Sequence, residues 1–335
     1  MDLHDIAIDG LVSTAQARSI GLGPADLRAL RSSGAIRRLI RGWYAVRAPD
    51  ADLPPWQGED HFASARALHR LTTIALLRSF DGRVCASHQS ALVLHGVSLW
   101  RSDLSMVHVA RVCDDHTRHR TGAVIHPACG ADPVPATTES SQTRHVTVPP
   151  AVAVVQVGLR PFKGGRAFPL ESLVAADSAL HLGLVTHDDL DAAVALHEGH
   201  PGIRAVRELL VHADERHESI GETRLALALR LLGYETEPQE RRTIGSTTYR
   251  VDQRIKGTRV VIEFDGIVKY LPAAPTEDDL SRARQILVAE KVRQDQLAED
   301  GDEFVRVRWA QLDGIHELGA RIEAAIVRSG GRLSA

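Results

Sequence analysis

Residues 260–265 constrain the fold more than any other part of this 335-residue chain. They read V-V-I-E-F-D, an apolar strand pattern that carries two carboxylates near its end. A strand this apolar is typical of the covered centre of a sheet, where an unpaired charge is costly. The pattern therefore predicts an α/β module in which Glu263 and Asp265 have a partner.

A β-hairpin is predicted from two strand-like runs, residues 247–255 and 258–265. If residues 257–258 form a two-residue type II′ turn with the glycine first, Asp252 lies directly opposite Glu263. A longer turn or a β-bulge would shift this register. The hairpin thus gives a specific expectation for which acids face each other.

Three carboxylates on one face are the chemical signal of this hairpin. Side chains alternate along a strand, so Asp265 shares the face of Glu263, and Asp252 joins them from the neighbouring strand. Like charges repel in this arrangement, and a hard divalent cation with oxygen ligands would offset the repulsion. The alternative is the ordinary polar face of a half-exposed hairpin. Glu222 stands in a Ser-x-x-Glu motif at a helix start, so it is either a cap or a ligand.

The order Glu222, Asp252 and then Glu263-Phe264-Asp265-Gly266 resembles the PD-(D/E)XK nuclease superfamily, and most closely its Vsr-like, restriction-endonuclease-like domains. A later helix with Lys291 and a strand ending in R-V-R-W extend the resemblance over residues 216–315. It implies an αβ core with a mixed sheet and a nuclease whose Mg²⁺ or Mn²⁺ is held by Asp252, Glu263 and Asp265. Glu222 would orient a ligand or a water molecule.

Two lysines complete the catalytic set that the resemblance implies. Lys269 or Lys291 would stabilise charge on the phosphate or position the attacking water. The lysine that the superfamily usually has two residues after its glutamate is Asp265 here, as in the Vsr-like branch. An intrahelical ion pair with Asp295 is an equal alternative for Lys291.

The N-terminal segment has a different pattern, two helix-forming runs followed by a short hairpin. Residues 13–14 can cap the first helix, glycines at 21 and 23 end it, and Pro24 begins the second. Residues 35–46 predict a two-stranded wing. The spacing is typical of a winged helix-turn-helix.

Arginines are concentrated in this segment, since residues 28–47 hold six of them and no acidic residue. Guanidinium groups match phosphate oxygens, and their binding to phosphate releases counterions. A solvated face is the alternative, because only four of the 40 basic residues of the chain are lysines. The predicted DNA-contacting residues are Arg28, Arg31, Arg37, Arg38, Arg41 and Tyr44.

This segment, with Gly42-Trp43-Tyr44 in its wing, resembles the N-terminal winged helix of AbiEi-type antitoxin proteins over about 48 residues. The middle of the chain resembles the α/β region of the same proteins through SHQSALVLHG, LSMVHVAR and ADSALHLGLVTHDDL. The resemblance implies DNA binding, repression and a cognate toxin or defence partner.

The middle region predicts helices at residues 63–77, 86–95, 170–182 and 186–196, strands at 104–110 and 123–126, and two β-rich runs within 137–157. Two cysteines and three histidines lie within seventeen residues there: Cys113, His116, His119, His126 and Cys129. Their spacing does not match common zinc pairings, so zinc is disfavoured. His88 and His95 are expected to be buried, hydrogen-bonded histidines rather than ligands.

These patterns together predict an α/β multi-domain protein. The expected domains are a winged helix-turn-helix at 1–50, an α/β middle domain at 59–215 and an endonuclease-like domain at 216–335. The leading functional hypothesis is a metal-dependent DNA endonuclease targeted by the winged helix, in phage defence, DNA repair or toxin–antitoxin control. The alternative is a non-catalytic DNA-binding regulator of AbiEi type. Either protein could form a homodimer.

Composition excludes several other classes of protein. A net charge of −3 and a sequence pI near 6.6 exclude a basic field over the whole protein, so DNA binding needs a local patch. With 44% hydrophobic and 25% charged residues, disorder and coiled coil are excluded as the main architecture. Three cysteines are too few for a disulfide framework. No leader and no long apolar run is seen, so we expect a cytoplasmic protein without a membrane partner.

Overall fold

The computed structural model describes residues 2–48, 51, 53–58, 60–113, 117–120, 122–137, 145–162, 166–244, 247–266 and 301–330. The chain divides into two compact units, Met1–Ala213 and Asp214–Ala335. The boundary lies close to the predicted start of the C-terminal domain, and the predicted division at residues 50–59 falls inside the first unit. Within the described residues, no helix combines the length and the apolar character needed to cross a bilayer.

The first unit begins with a small three-stranded sheet and short helices. Its elements are α1 (Leu3–Ile6), β1 (Leu11–Ser13), α2 (Thr14–Ser19), α3 (Pro24–Ser32), β2 (Ile36–Ile40) and β3 (Trp43–Val46). The strand order is β1-β3-β2, and both pairings are antiparallel. Ser13 caps α2 by accepting a hydrogen bond from the Gln16 backbone N–H at 3.1 Å. Gly42 turns the wing with a φ of +83°, so the predicted winged helix is confirmed.

The rest of the first unit packs helices on a six-stranded mixed sheet of order β6-β7-β5-β4-β9-β8. Its strands are β4 (Val84–Ala86), β5 (Val107–Arg111), β6 (Arg118–Arg120), β7 (Ala123–His126), β8 (Val134–Pro135) and β9 (Val146–Thr147), and a separate pair is β10 (Pro161–Phe162) with β11 (Arg166–Ala167). Its helices are α4 (His61–Phe80), α5 (His88–Leu94), α6 (Pro150–Leu159), α7 (Leu170–His181), α8 (His187–Leu196) and α9 (Ile203–Leu210).

One prediction for this region is wrong. The second β-rich run within residues 137–157 forms helix α6, not a strand. Residues 151–159 are all buried, so the helix shows no amphipathic period that would separate it from a buried strand. Pro150 occupies the first helical position, which favours a helix start over a strand.

The second unit contains one four-stranded mixed sheet and helices that share one hydrophobic core with it. Its elements are α10 (Ile220–Leu231), β12 (Thr236–Ile244), β13 (Thr247–Ile255), β14 (Val260–Phe264), β15 (Glu303–Val307), a 3₁₀ turn (Trp309–Leu312) and α11 (Ile315–Arg328). The order is β12-β13-β14-β15, and among the described strands of this sheet only β14 and β15 pair in parallel. Leu225, Leu229, Ile262 and Leu318 are fully buried in its core. The mixed sheet agrees with the predicted αβ core.

Candidate functional site

Helix α3 directs a row of polar side chains away from the core of the winged helix. Leu27 is buried, whereas Arg28, Arg31 and Ser32 are exposed. These three are spaced i, i+3 and i+4, so they lie on one face of the helix. Helix α3 is therefore the recognition-helix candidate of the helix-turn-helix.

Strand β2 supplies the other wall of a groove beside α3. The groove has a volume of about 440 Å³ and is lined by Arg28, Arg31, Ser32, Ile36, Arg37 and Arg38. Four of the six predicted DNA-contacting residues therefore meet in one concave surface, which we call the arginine groove. Ser32 and Ile36 line it too, and the i+4 spacing of Ser32 from Arg28 could have identified the serine.

The other two predicted contact residues lie in the wing. Arg41 is exposed at the turn between β2 and β3. Tyr44 is half-buried and packs against the winged-helix core, so much of its ring is used by the fold. The wing therefore offers one further guanidinium beside the four in the groove.

The winged helix is anchored to helix α4 through a buried carboxylate. Asp9, whose side chain is 1% exposed, bonds Arg78 of α4 and accepts from His145 Nε2 at 3.3 Å. Arg78 also donates to the backbone carbonyl of Ile8 at 2.8 Å and lies over the Trp43 ring, 5.9 Å from its centre. These contacts fix the loop before β1 and one strand of the wing on a long helix.

The predicted hairpin register in the second unit is confirmed. Gln253 pairs with Ile262 and Arg254 with Val261, which is the register that would place Asp252 opposite Glu263. The predicted type II′ turn is wrong in position, because the hydrogen-bonded turn is closed by Thr258 N–H donating to Ile255 C=O at 3.2 Å.

Beyond the last paired residues of β13 and β14, the Asp252 side chain replaces the backbone as the hydrogen-bond acceptor for β14. Its Oδ2 accepts a hydrogen bond from the backbone N–H of Phe264 at 2.9 Å. Asp252 is half-buried and Glu263 is 7% exposed. Asp252 of β13 is thus hydrogen-bonded to the backbone of β14, the strand that carries Glu263.

The other two acids also have partners within the second unit. Glu222 accepts from the Ser219 hydroxyl at 2.7 Å, the Glu218 backbone N–H at 3.0 Å and Gln239 Nε2 at 2.8 Å. Of the two roles open to Glu222 in the sequence, this geometry is that of a cap. Asp265 accepts from Arg308 Nε at 3.2 Å.

Within the described part of the chain, these acids do not form a group of three metal ligands. No three of Glu222, Asp252, Glu263 and Asp265 have carboxylate oxygens that all lie within 4.8 Å of one another. A Mg²⁺ or Mn²⁺ ion held by three of these carboxylates does not fit this geometry. Lys269 and Lys291 lie outside the described residues, so the catalytic set stays a prediction.

Comparison with known proteins identifies the N-terminal segment. Residues 5–47 match the family model of the AbiEi antitoxin, a transcriptional regulator. The matched residues run from within α1 to the end of β3 and include the whole arginine groove. No curated protein sequence matches the chain.

Among solved structures, a similarity is found to the crystal structure of the RV2827C protein from Mycobacterium tuberculosis. It has 14% sequence identity, covers 65% of this chain and 79% of that chain, and has a TM-score of 0.33. A score this low supports no conclusion about the fold of either unit. The family match ends at residue 47, before the hairpin at residues 247–265.

Proposed function

We propose that this protein is a DNA-binding transcriptional regulator of AbiEi antitoxin type, and that it binds duplex DNA through the arginine groove. The observation that carries the proposal is the meeting of Arg28, Arg31, Arg37 and Arg38 in one groove of the segment that matches the family. Helix α3 would enter the major groove, and β2 with the wing turn would follow the backbone.

The charge of the groove supports phosphate binding more than a structural role. Among the described residues, none of these four arginines forms an ion pair, and each is exposed. A concave surface with four guanidinium groups concentrates positive potential where a phosphate backbone can approach. Binding of this kind depends steeply on salt, because each neutralised phosphate releases condensed counterions.

Fluorescence anisotropy with labelled duplexes tests the proposal. The full chain is titrated with the DNA upstream of its own coding region and with a scrambled duplex of equal length, at several salt concentrations. Arg37→Ala plus Arg38→Ala is expected to weaken binding at least about tenfold and to lower the salt slope by about two.

A matched control uses two exposed arginines of the same unit, Arg204 and Arg207. They pair with Glu208 and Glu198, so Arg204→Ala plus Arg207→Ala removes equal charge outside the groove. This variant is expected to bind DNA like the wild type. Equal loss in both double variants, or no preference for the upstream duplex, would contradict the proposal.

Partner proteins follow from the same proposal. A cognate toxin is the partner that an antitoxin implies, and a homodimer would place two winged helices on a palindromic site. Light scattering of the purified chain measures the oligomeric state. Co-expression with the product of the neighbouring gene tests the toxin.

A metal-dependent DNA endonuclease is a second proposal for the same chain. The confirmed hairpin register favours it, because this register would place Asp252 opposite Glu263 on neighbouring strands, where a cation would offset the repulsion of the two charges. Among the described residues, the lack of any three of these acids within metal-binding distance counts against it. DNA binding is consequently the function that the geometry supports better.

Cleavage assays decide the second proposal. Plasmid, linear and single-stranded DNA are incubated with the full chain in Mg²⁺ or Mn²⁺. Cleavage that is lost in Asp252→Ala and in Glu263→Ala would support an endonuclease. Absence of cleavage by the wild type, or equal cleavage by both variants, would reject it.

A further inference from the structure

Three histidines from separate elements meet in the first unit. His88 begins α5, His108 lies in β5 and His126 ends β7. One ring nitrogen from each of the three lies within 4.8 Å of the other two. His108 Nδ1 and His126 Nε2 are 2.7 Å apart. This histidine triad is distinct from the arginine groove and from the acidic hairpin.

The ring positions are close to those of three ligands around one ion. The ring centres of His88 and His108 are 5.2 Å apart, and those of His108 and His126 are 5.1 Å apart. Two imidazoles bound to a tetrahedral Zn²⁺ have ring centres about 5 Å apart, since Zn–N bonds are about 2.0–2.1 Å. The third pair, His88 and His126, is closer at 4.2 Å.

The triad is largely shielded from solvent. His108 is fully buried and His88 is 9% exposed. Burial disfavours a charged imidazole, and the neutral imidazole is the form of histidine that binds a metal.

The surroundings orient the ring and the backbone of His88. Its Nδ1 lies 3.0 Å from the Ser87 hydroxyl, which leaves Nε2 as the nitrogen available to an ion. Its backbone N–H donates to Gln156 Oε1 at 3.0 Å. Histidine ligands of metals commonly bond a second polar group in this way, and the bond fixes the ring.

His95 shows how a purely structural histidine in the same region differs. Its Nδ1 and Nε2 each lie 2.8 Å from a threonine hydroxyl, Thr137 and Thr147 respectively. Both ring nitrogens are thus occupied by protein partners, as the sequence predicted. The sequence also predicted that His88 is a buried, hydrogen-bonded histidine, but this role does not explain why its ring lies beside two other imidazoles.

We propose that His88, His108 and His126 form a binding site for one divalent first-row transition metal ion, with Zn²⁺ the preferred ion. Three imidazole nitrogens suit zinc and leave a fourth position for water or another ligand. The two cysteines of the zinc pattern considered from the sequence are not needed, and Cys113 is exposed. The site goes beyond DNA binding and does not depend on it.

Arg160 lies against the His108 ring and is the main opposing charge. Arg160 is only partly buried, and its long side chain can turn its guanidinium toward solvent. A dication bound to His108 would be repelled by this guanidinium. Removing the arginine charge should therefore strengthen metal binding.

Zinc titration of the untagged full chain tests the site. The protein is stripped with a chelator, and zinc is titrated in competition with a chromophoric chelator. Wild type is expected to bind one equivalent, and His126→Gln to bind at least about 100-fold more weakly. His95→Gln is the matched control and should stay within about threefold of the wild type. The Co²⁺ complex should show the strong visible absorption of tetrahedral coordination in the wild type and in His95→Gln, but not in His126→Gln.

The opposite results would overturn the proposal. Equal zinc binding by wild type and His126→Gln would place the zinc on other histidines, and no binding by wild type would leave the triad a hydrogen-bonded network. Arg160→Met provides a second test if His126→Gln does not fold, because it keeps all three imidazoles. It is expected to bind zinc about tenfold more tightly. Unchanged or weaker binding by Arg160→Met would contradict a metal at His108.

Discussion

The arginine groove and the acidic hairpin are both clusters of like charge, but the fold uses them differently. Arg28, Arg31, Arg37 and Arg38 are exposed and form no ion pair among the described residues. In the second unit, by contrast, Asp252 binds a backbone amide, Asp265 binds an arginine and Glu222 caps a helix. The acids stabilise the fold, whereas the arginines remain available to a ligand.

This difference shows what a charge cluster in a sequence does and does not indicate. A run of like charges indicates a ligand only when the fold supplies no partner of its own. Residues 28–47 contain no acidic residue. Helical spacing alone shows which face of α3 is exposed. The acids of the second unit have partners from other elements, namely Gln239 for Glu222 and Arg308 for Asp265.

The largest expected effect comes from a buried acid of the second unit. Asp302, whose side chain is 0% exposed, accepts from both terminal nitrogens of Arg254, at 3.1 and 2.7 Å. Asp302→Ala is expected to lower the free energy of unfolding of the second unit by about 3–5 kcal/mol, because it leaves a buried guanidinium without its main partner. Urea denaturation followed by circular dichroism measures this loss of stability.

The comparison between the two charge clusters needs a matched change in the arginine groove. Arg37→Ala plus Arg38→Ala should change the free energy of unfolding of the first unit by no more than about 0.5 kcal/mol per site. A loss as large as that of Asp302→Ala would show that these arginines also serve the fold, and the contrast would fail. Asp302→Leu with Arg254→Met should recover much of the stability, because an apolar pair removes both buried charges.

The next largest effect concerns binding. Replacement of all four groove arginines with alanine should weaken binding to the preferred duplex at least about 100-fold, or about 2.7 kcal/mol. The salt slope should fall by about 3.6 if each arginine neutralises one phosphate. A titration at several salt concentrations measures both. A loss of affinity with an unchanged slope would mean that the four arginines do not contact phosphates.

Much of the fold could be predicted from local signals. The cap at Ser13, the turn at Gly42 and the hairpin register at Gln253↔Ile262 each depend on a few neighbouring residues. Strand β12 was not predicted, because its sequence is polar and contains Pro238. It is an edge strand, where proline and charge are tolerated and the apolar alternation is weak.

The candidate sites show a similar limit. Sequence alone left Glu222 as either a cap or a ligand, because the capping motif is local but Gln239 reaches it from β12. The histidine triad could not be found from spacing, since β5, β7 and α5 bring together residues 18 to 38 positions apart in sequence. Only the pairing of those elements places the three rings side by side.

A smaller effect is expected where α10 packs on the acidic strand. A Cβ atom on Gly221 would lie 2.0 Å from the Phe264 ring. Alanine is normally favoured over glycine in a helix by about 1 kcal/mol, but the overlap should reverse the sign and make Gly221→Ala destabilising by about 1–3 kcal/mol. Thermal unfolding measures the change. Phe264→Leu in the same chain should reduce the cost of Gly221→Ala, and equal costs in both backgrounds would mean that the ring does not limit the packing.

The smallest effect most directly separates the two roles of Asp252. If Asp252 serves as an acceptor for the Phe264 N–H, Asp252→Asn keeps an oxygen there and should cost less than about 0.5 kcal/mol, whereas Asp252→Ala should cost about 1–2 kcal/mol. If Asp252 binds a cation instead, the negative charge matters and not only the oxygen. Mg²⁺ would then raise the melting temperature of the wild type and leave that of Asp252→Asn unchanged. Equal melting temperatures with and without Mg²⁺ in both proteins would assign Asp252 to the fold and preserve its contrast with the arginine groove.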